Sequence, residues 1–304
     1  MKGSDMNGLK SKWLELIGQP GDYDHPHSLT LLKKYDHPEF DGELYLQSNG
    51  PGTFQRVLMV FPKGIAAPVP AVAVPFYYPE AMLGFDPETG EMLPGFKNIE
   101  MLLHLVRRGY AAATADSYHL TYLRSDKDRS DFTRWQDAGE ALLRDHPGWT
   151  GIGKLIYDTK LMTDALTADP RVDENRLAIA GHSLGGKMAF YAGCLDDRYK
   201  AILASDFGIG WDQTNWRDVW YWGEKTNRLK AEGIDHASLL GAAAPKPFCL
   251  LAGFYDNEDS RVMMQAAPGY EGYEDRLVIL NHATGHRPPL DVLEEGYRFL
   301  DKWI

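Results

Sequence analysis

The chain has 304 residues, of which 44% are hydrophobic and 25% are charged, an ordinary balance for a soluble globular protein. Its formal net charge is −11 and its lysines and arginines are scattered, which argues against a nucleic-acid-binding surface and against binding to anionic membranes. The two cysteines, Cys194 and Cys249, lie in apolar contexts away from each other, so we expect buried, reduced thiols and no zinc site.

The N-terminal region lacks the marks of a targeting segment. It has no apolar core and no small-residue cleavage site, so the sequence as it stands predicts a cytoplasmic protein, unless a secretion signal has been removed from it. No apolar run is long enough to span a bilayer. The segment 1–40 is polar, and we expect it to wrap the surface. The irregular spacing of His25, His27 and His37 predicts a solvated loop rather than a metal site.

Strand and helix patterns alternate through the rest of the chain. Asn49-Gly50 between two strand patterns predicts a β-hairpin, and the alternation after it predicts a mostly parallel central sheet with helices on both faces. We predict a single α/β domain over 1–304, in which two excursions, 117–150 and 207–243, form a cap or pocket wall. The predicted strands are 42–47, 53–62, 70–77, 110–116, 176–181, 200–206, 246–253 and 276–282, and the predicted helices are 98–108, 153–168, 183–195, 260–266 and 291–304.

A serine lies between glycines where one strand pattern gives way to a helix. Gly181-His182-Ser183-Leu184-Gly185 matches G-x-S-x-G, in the strand–turn–helix context that this motif requires. The turn lifts the serine above the sheet, and the helix N-terminus directs backbone N–H groups at developing negative charge. We interpret Ser183 as a nucleophile. The alternative is a glycine-rich turn whose serine only caps the helix.

A serine nucleophile needs a base, which should lie downstream of it and after an acid, in the chain order Ser, Asp/Glu, His. His286 follows the last predicted strand, after a glycine in a loop that would let its ring reach Ser183. His282 is the rival, since it ends that strand. We prefer His286 because a general base must reach its proton geometrically.

The acid that orients the base should also follow a strand. We predict Asp256, which lies three residues beyond Gly253 at the end of another predicted strand, as the partner of His286. Asp206 and Asp259 are the rivals. Asp206 itself ends a strand, so it could serve as the acid or contact the substrate.

Backbone N–H groups should form an oxyanion hole near the serine. One comes from the residue after the nucleophile, Leu184, and the other from the loop after an earlier strand, where Phe76 and Tyr77 are the candidates. Aromatic residues crowd the segment 207–223, either as buried supports of a lid or as a stacking wall for a sugar or aryl group. The predicted substrate-binding residues are Tyr78, His182, Asp206, Trp211, Trp216 and Trp220, with packing beneath the elbow as the alternative for His182.

On these residues the chain resembles the α/β-hydrolase superfamily, and within it the acetyl-xylan-esterase-like and dienelactone-hydrolase-like bacterial esterases. The resemblance covers about 60–300 and is carried by DPRVDENRLAIAGHSLGGKMAFYAGCLDDRYKAILASD, AAAPKPFCLLAGFYDNED and HATGHRPP. It implies that Ser183, Asp256 and His286 are the nucleophile, acid and base.

Two departures narrow the expected substrate. Relatives that cleave glucuronoyl esters have Arg directly after the nucleophile, where this chain has Leu184, although Lys187 is kept. This counts against a uronate ester. The nucleophile is Ser183 rather than the Cys of true dienelactone hydrolases, which counts against that reaction.

The sequence therefore predicts a serine carboxylic-ester hydrolase that works through an acyl-enzyme and needs no metal or cofactor. Its expected partner is a small-molecule or oligosaccharide ester, with an acetylated sugar as the first expectation, and its oligomeric state is left open. A serine peptidase or amidase of the same fold is the alternative, and a binding module that has lost catalysis is a third reading.

Overall fold

The computed structural model describes residues 3–18, 25, 27–123 and 131–304, and the strands in these ranges form a nine-stranded sheet. The strands are β1 (Leu29–His37), β2 (Phe40–Gly50), β3 (Thr53–Pro62), β4 (Val69–Ala73), β5 (Ala111–Ala115), β6 (Val172–His182), β7 (Ile202–Ser205), β8 (Phe248–Ala252) and β9 (Leu277–Asn281). Their spatial order is β1-β2-β3-β5-β4-β6-β7-β8-β9. The first three strands and the β3–β5 pair are antiparallel, and all other neighbours are parallel.

Helices connect the strands and cover the sheet. They are α1 (Gly3–Ile17), α2 (Pro79–Leu83), α3 (Met101–Arg107), α4 (Tyr118–Thr121), α5 (Asp131–Asp145), α6 (Gly151–Thr167), α7 (Leu184–Leu195), α8 (Lys225–Ala231), α9 (His236–Ala242), α10 (Glu258–Gln265) and α11 (Leu290–Leu300). None of the helices in the described part of the chain is long and apolar enough to cross a membrane.

Both faces of the sheet are buried, as strand β5 shows. Ala111 and Ala113 pack into the core that contains α1, α6 and α7 residues, whereas Ala112 between them packs into the core under α3 and α11. Alternate side chains of a strand point to opposite faces, so helices must cover both sides. The predicted fold class, a mostly parallel α/β sheet with an N-terminal antiparallel hairpin, is confirmed.

The N-terminal segment contains regular structure that the sequence analysis did not predict, and the expectation of a solvated loop is wrong for His25. The segment expected to wrap the surface contains α1 and the edge strand β1, and the imidazole of His25 is buried, 2.9 Å from the Ser48 hydroxyl and 3.0 Å from that of Tyr157. β1 pairs on one side only and stays exposed, so its sequence lacks the apolar alternation of an inner strand. Residues 1–2, 19–24 and 26 of that segment, and 124–130 of the first excursion, lie outside the described residues.

The register of the parallel strands decides which loops meet. His182 of β6 pairs with Ser205 of β7, so the residues that follow, Ser183 and Asp206, leave the sheet side by side. Parallel strands present their carboxyl ends at one edge, where sites form in folds of this class.

Trp13 of α1 is the anchor of the unforeseen N-terminal helix. It is 1% exposed, its indole N–H donates to the Ser238 hydroxyl at 3.2 Å, and its ring contacts Tyr191 edge-on at 5.9 Å between centroids. We expect Trp13→Ala to lower the free energy of unfolding by about 3–5 kcal/mol, because truncation leaves a cavity in a packed core. Urea denaturation measures this change. Phe54→Ala, at a side chain that is 45% exposed, is the control, and an equal loss in both variants would contradict the assignment.

Candidate active site

Ser183 lies in a strained turn between β6 and α7. Its backbone has φ 57° and ψ −116°, a conformation that L-residues rarely adopt and that here holds the side chain above the sheet edge. A Cβ on Gly181 would overlap the carbonyl oxygen of Gly185, and a Cβ on Gly185 would overlap that of Pro75. The turn therefore requires both glycines of the G-x-S-x-G motif.

A chain of hydrogen bonds runs from the serine to a buried carboxylate. The Ser183 hydroxyl lies 2.9 Å from Nε2 of His286, and Nδ1 of His286 lies 2.7 Å from Oδ2 of Asp206. With its Nδ1–H donated to the carboxylate, the neutral imidazole has Nε2 free to accept the serine proton. This arrangement can activate a hydroxyl for nucleophilic attack.

Asp206 is held by the neighbouring loop. Its second oxygen, Oδ1, accepts backbone N–H groups from Gly253 at 3.1 Å, Tyr255 at 2.8 Å and Asp256 at 3.0 Å. Burial acts to raise the pKa of Asp206, but the hydrogen bonds from His286 and the backbone hold that pKa below its usual value. The carboxylate therefore stays ionised beside the imidazole.

The structure corrects the prediction that Asp256 pairs with His286. The Asp256 carboxylate is fully buried and accepts the N–H groups of Gly208 and Ile209, both at 2.8 Å, and the Ser260 hydroxyl at 2.9 Å. Asp206 is nearer to the serine because it directly follows β7, the strand beside β6, whereas Asp256 lies four residues beyond β8. The other rival, Asp259, is exposed in the first turn of α10.

The two other histidines near the site have different places. His282 forms its hydrogen bond with the Thr284 hydroxyl, at 2.8 Å, and not with the serine. His182 is buried, with Nδ1 3.0 Å from the Ser205 hydroxyl and its ring 4.6 Å from that of His286. Burial lowers the pKa of His182 well below its usual range, so the ring is neutral. It packs beside the base and does not line the cavity, contrary to its prediction as a substrate-binding residue.

The loop after β4 lies against the start of α7, as the oxyanion-hole prediction requires. Leu184 is the first residue of α7, and the Pro75–Phe76 backbone and ring contact Gly185. Tyr77 lines the cavity and stacks on Trp135 at 4.9 Å between ring centroids. The roles of Leu184, Phe76 and Tyr77 as oxyanion donors remain predictions.

Ser183 is part of the lining of a cavity of about 380 Å³. Residues of both excursions line this cavity, but the sequence analysis did not predict them individually. Two signals in the sequence were available: the helical spacing of apolar residues in α5, and the polar residues among the tryptophans of 207–223. The lining residues are Tyr77, Phe132, Trp135, Ser183, Lys187, Asp206, Phe207, Thr214, Asn215, Asp218, Tyr221, Tyr255 and His286.

Four predicted substrate-binding aromatics do not line this cavity. The indole N–H of Trp211 donates to the Ile234 carbonyl, and that of Trp216 donates to the Gly208 carbonyl. Trp220 is buried with its ring 5.9 Å from that of Trp135, and Tyr78 packs edge-on against Phe96. The tryptophans are buried supports of the cavity wall, because their large apolar rings gain more from packing than from exposure.

Lys187 places a buried amine in the cavity lining. Its Nζ donates to Oδ1 of Asn215 at 2.9 Å and to the Thr214 hydroxyl at 3.3 Å, and it lies 4.7 Å from the ring centroid of Trp216 and 4.6 Å from that of Tyr221. Burial lowers the pKa of Lys187 to about 7.

In the described ranges, no group of three or more His, Cys, Asp or Glu side chains is arranged to hold a metal ion.

Comparisons with known proteins place these features in context. The model of the prolyl oligopeptidase family matches residues 151–267. YtaP of Bacillus subtilis (strain 168), which is described as a hydrolase, is 24% identical over 81% of this chain and 82% of its own length. The solved structures that are similar include two esterases. A glucuronoyl esterase from Solibacter usitatus matches with a TM-score of 0.74 and 14% identity over 98% of this chain and 92% of its own. An acetyl xylan esterase from Paenibacillus sp. R4 matches with a TM-score of 0.64 and 16% identity over 100% of each chain.

Replacing the carboxylate that holds His286 should disable the serine. We expect Asp206→Asn to slow labelling of Ser183 by a fluorophosphonate probe about 10³- to 10⁴-fold. The backbone N–H groups of the neighbouring loop would hold the amide oxygen, so the amide NH2 would face Nδ1, favour the wrong tautomer of His286 and supply no charge to stabilise the imidazolium. Mass spectrometry of the labelled peptide follows the rate. Asp259→Asn, the exposed rival, should label like the unaltered protein, and unchanged labelling of Asp206→Asn would exclude Asp206 as the orienting acid.

The buried amine should couple stability to pH. Its pKa is about 7 in the folded protein but near 10.4 in the unfolded chain, so between these values the unfolded chain binds more protons. The free energy of unfolding should therefore rise with pH from about 7 to 10 relative to a Lys187→Met variant. Urea denaturation at several pH values measures the difference. Parallel stability profiles would show that Lys187 keeps its ordinary pKa.

Proposed function

We propose that this chain, which has the α/β-hydrolase fold, is a serine carboxylic-ester hydrolase that acts on carbohydrate esters. The hydrogen-bonded series Ser183–His286–Asp206, open to a cavity of about 380 Å³, carries the proposal. Ser183 is the nucleophile, His286 the general base and then acid, and Asp206 the residue that orients the imidazole.

The reaction proceeds in two halves. His286 Nε2 takes the proton of the Ser183 hydroxyl as its oxygen attacks the ester carbonyl, and the oxyanion is held by N–H groups of Leu184 and of Phe76 or Tyr77. The alcohol leaves with the proton from His286. Water, deprotonated by the same imidazole, then releases the acid from the acyl-enzyme and restores the serine.

The lining of the cavity supports a substrate rich in hydroxyl groups. The amine of Lys187 can donate, the Asp218 carboxylate can accept, and Asn215 offers both functions. The flat rings of Trp135 and Tyr221 form apolar walls beside these groups. A pyranose ring has hydroxyls at its rim and apolar C–H faces, and it matches this combination.

An acetyl or similar ester is favoured over a uronate ester. No arginine follows the nucleophile, since Leu184 occupies that position and is buried. The Solibacter usitatus and Paenibacillus sp. R4 proteins are described as a glucuronoyl esterase and an acetyl xylan esterase, and the second description agrees with this substrate. The match to the prolyl oligopeptidase family over 151–267 supports a second candidate, an amidase or peptidase, which uses the same three side chains.

A substrate panel tests both candidates. We expect hydrolysis of acetylated xylo-oligosaccharides and 4-nitrophenyl acetate, with slower butyryl and feruloyl esters and no turnover of aminoacyl amides. Ser183→Ala should lower kcat at least about 10³-fold, because no other described hydroxyl contacts the base. Ser28→Ala, at an exposed serine, is the control. Faster turnover of amides than of esters would replace the esterase proposal with the amidase candidate.

A further inference from the structure

Two exposed phenylalanines lie near Ser183: one lines the cavity, and the other packs on a residue that lines it. Phe254 is 68% exposed and Phe132 is 63% exposed, the highest values for this residue type among the described residues. Phe132 lines the cavity directly, and the ring of Phe254 packs edge-on against the cavity-lining Tyr255 at 5.0 Å between centroids. The Phe254 ring thus continues the aromatic lining of the cavity outward and offers an apolar face to a ligand that extends beyond the cavity.

We infer that Phe254 and Tyr255 form a subsite for a second ring of the substrate, attached to the sugar on the alcohol side of the ester. We call this pair the aromatic step. The inference builds on the proposed esterase function and adds that the substrate extends outside the cavity. The chemistry that the step recognises is a flat apolar ring face, which either a pyranose or an aryl group presents.

The position of His286 assigns the aromatic step to the alcohol. His286 must protonate the departing oxygen, so the alcohol lies on the imidazole side of the scissile bond. The Tyr255 ring meets the His286 ring edge-on at 5.0 Å, whereas the polar Lys187–Asn215 group lines the cavity as a separate set of contacts. A chain leaving the cavity past His286 therefore passes Tyr255 and reaches Phe254.

The backbone of the aromatic step is fixed although the Phe254 side chain is exposed. Gly253 and Tyr255, on either side of Phe254, both donate their N–H groups to Oδ1 of Asp206. The carboxylate that orients the base thus also holds the step at a set position beside it. Because the backbone is already fixed, binding a ligand has to order only the rotamer of the Phe254 side chain, which limits the entropic cost of the contact.

The experiment compares esters that share one acyl group and one acetylated sugar. The reference is acetylated methyl xyloside, and the extended substrates are acetylated xylobiose and acetylated benzyl xyloside. We expect Phe254→Ala to lower the ratio of kcat/KM between extended and reference substrates about three- to tenfold, the range of a lost ring contact. Phe254→Trp should preserve the ratio, and Phe54→Ala, an exposed phenylalanine on β3, is the matched control.

The two extended substrates distinguish the source of the second ring. A loss for both means that the step reads any flat face, and a loss for one identifies a sugar or an aryl group; each supports the subsite. An unchanged ratio with both, or an equal loss in Phe54→Ala, overturns it.

A binding measurement separates this inference from the esterase proposal. Calorimetry with Ser183→Ala protein and unacetylated benzyl xyloside or xylobiose needs no turnover. Adding Phe254→Ala should weaken the Kd about three- to tenfold for at least one of these ligands. If no ester is hydrolysed but this weakening is seen, the reaction is wrong and the subsite stands. If esters are hydrolysed and the Kd is unchanged, the subsite is wrong and the esterase stands.

Discussion

Two buried carboxylates hold the loops after β7 and β8 to one another. Asp206, after β7, accepts N–H groups from the loop after β8, and Asp256, in that second loop, accepts the N–H groups of Gly208 and Ile209 from the first. Each loop thus supplies hydrogen-bond donors to the carboxyl group of the other, although burial still raises the pKa of Asp256. A carboxyl group can be buried only where such donors surround it, so neither loop can move without leaving buried polar atoms unpaired.

This reciprocal arrangement supports the strain at the catalytic edge. Ser183 has φ 57° and Asp206 has φ 42°, and both are residues for which such values cost free energy. Strain of this kind persists only where surrounding contacts determine the backbone. On one side, the close backbone contacts at Gly181 and Gly185 fix the turn at Ser183. On the other side, the hydrogen bonds from backbone N–H groups to Asp206 and Asp256 fix the loop at Asp206. The nucleophile and its base are therefore set in place before a substrate arrives.

The sequence predicted what depends on local pattern and missed what depends on register. Strand β6, helix α7 and the glycines around Ser183 follow from a motif with a strict local geometry, and His286 follows from loop position. The choice between Asp206 and Asp256 depends on which strand lies beside β6 and on the pairing of His182 with Ser205, neither of which a single sequence displays. Helix α1 has a local signal, since Leu9, Trp13 and Ile17 recur at helical spacing, but the polar composition of 1–40 as a whole outweighed it in the prediction.

The tryptophans of 207–223 support the site without lining its cavity. Trp216 donates its indole N–H to the Gly208 carbonyl, in the loop that Asp256 holds, and its ring lies against the Lys187 amine. One buried ring thus joins the acid-bearing loop to the polar wall of the cavity. A cation facing aromatic rings in a buried site is stabilised by their negative faces, which partly offsets the desolvation that lowers the pKa of Lys187. The aromatic cluster positions the amine that a hydroxyl-bearing substrate would meet, and the substrate need not contact the tryptophans.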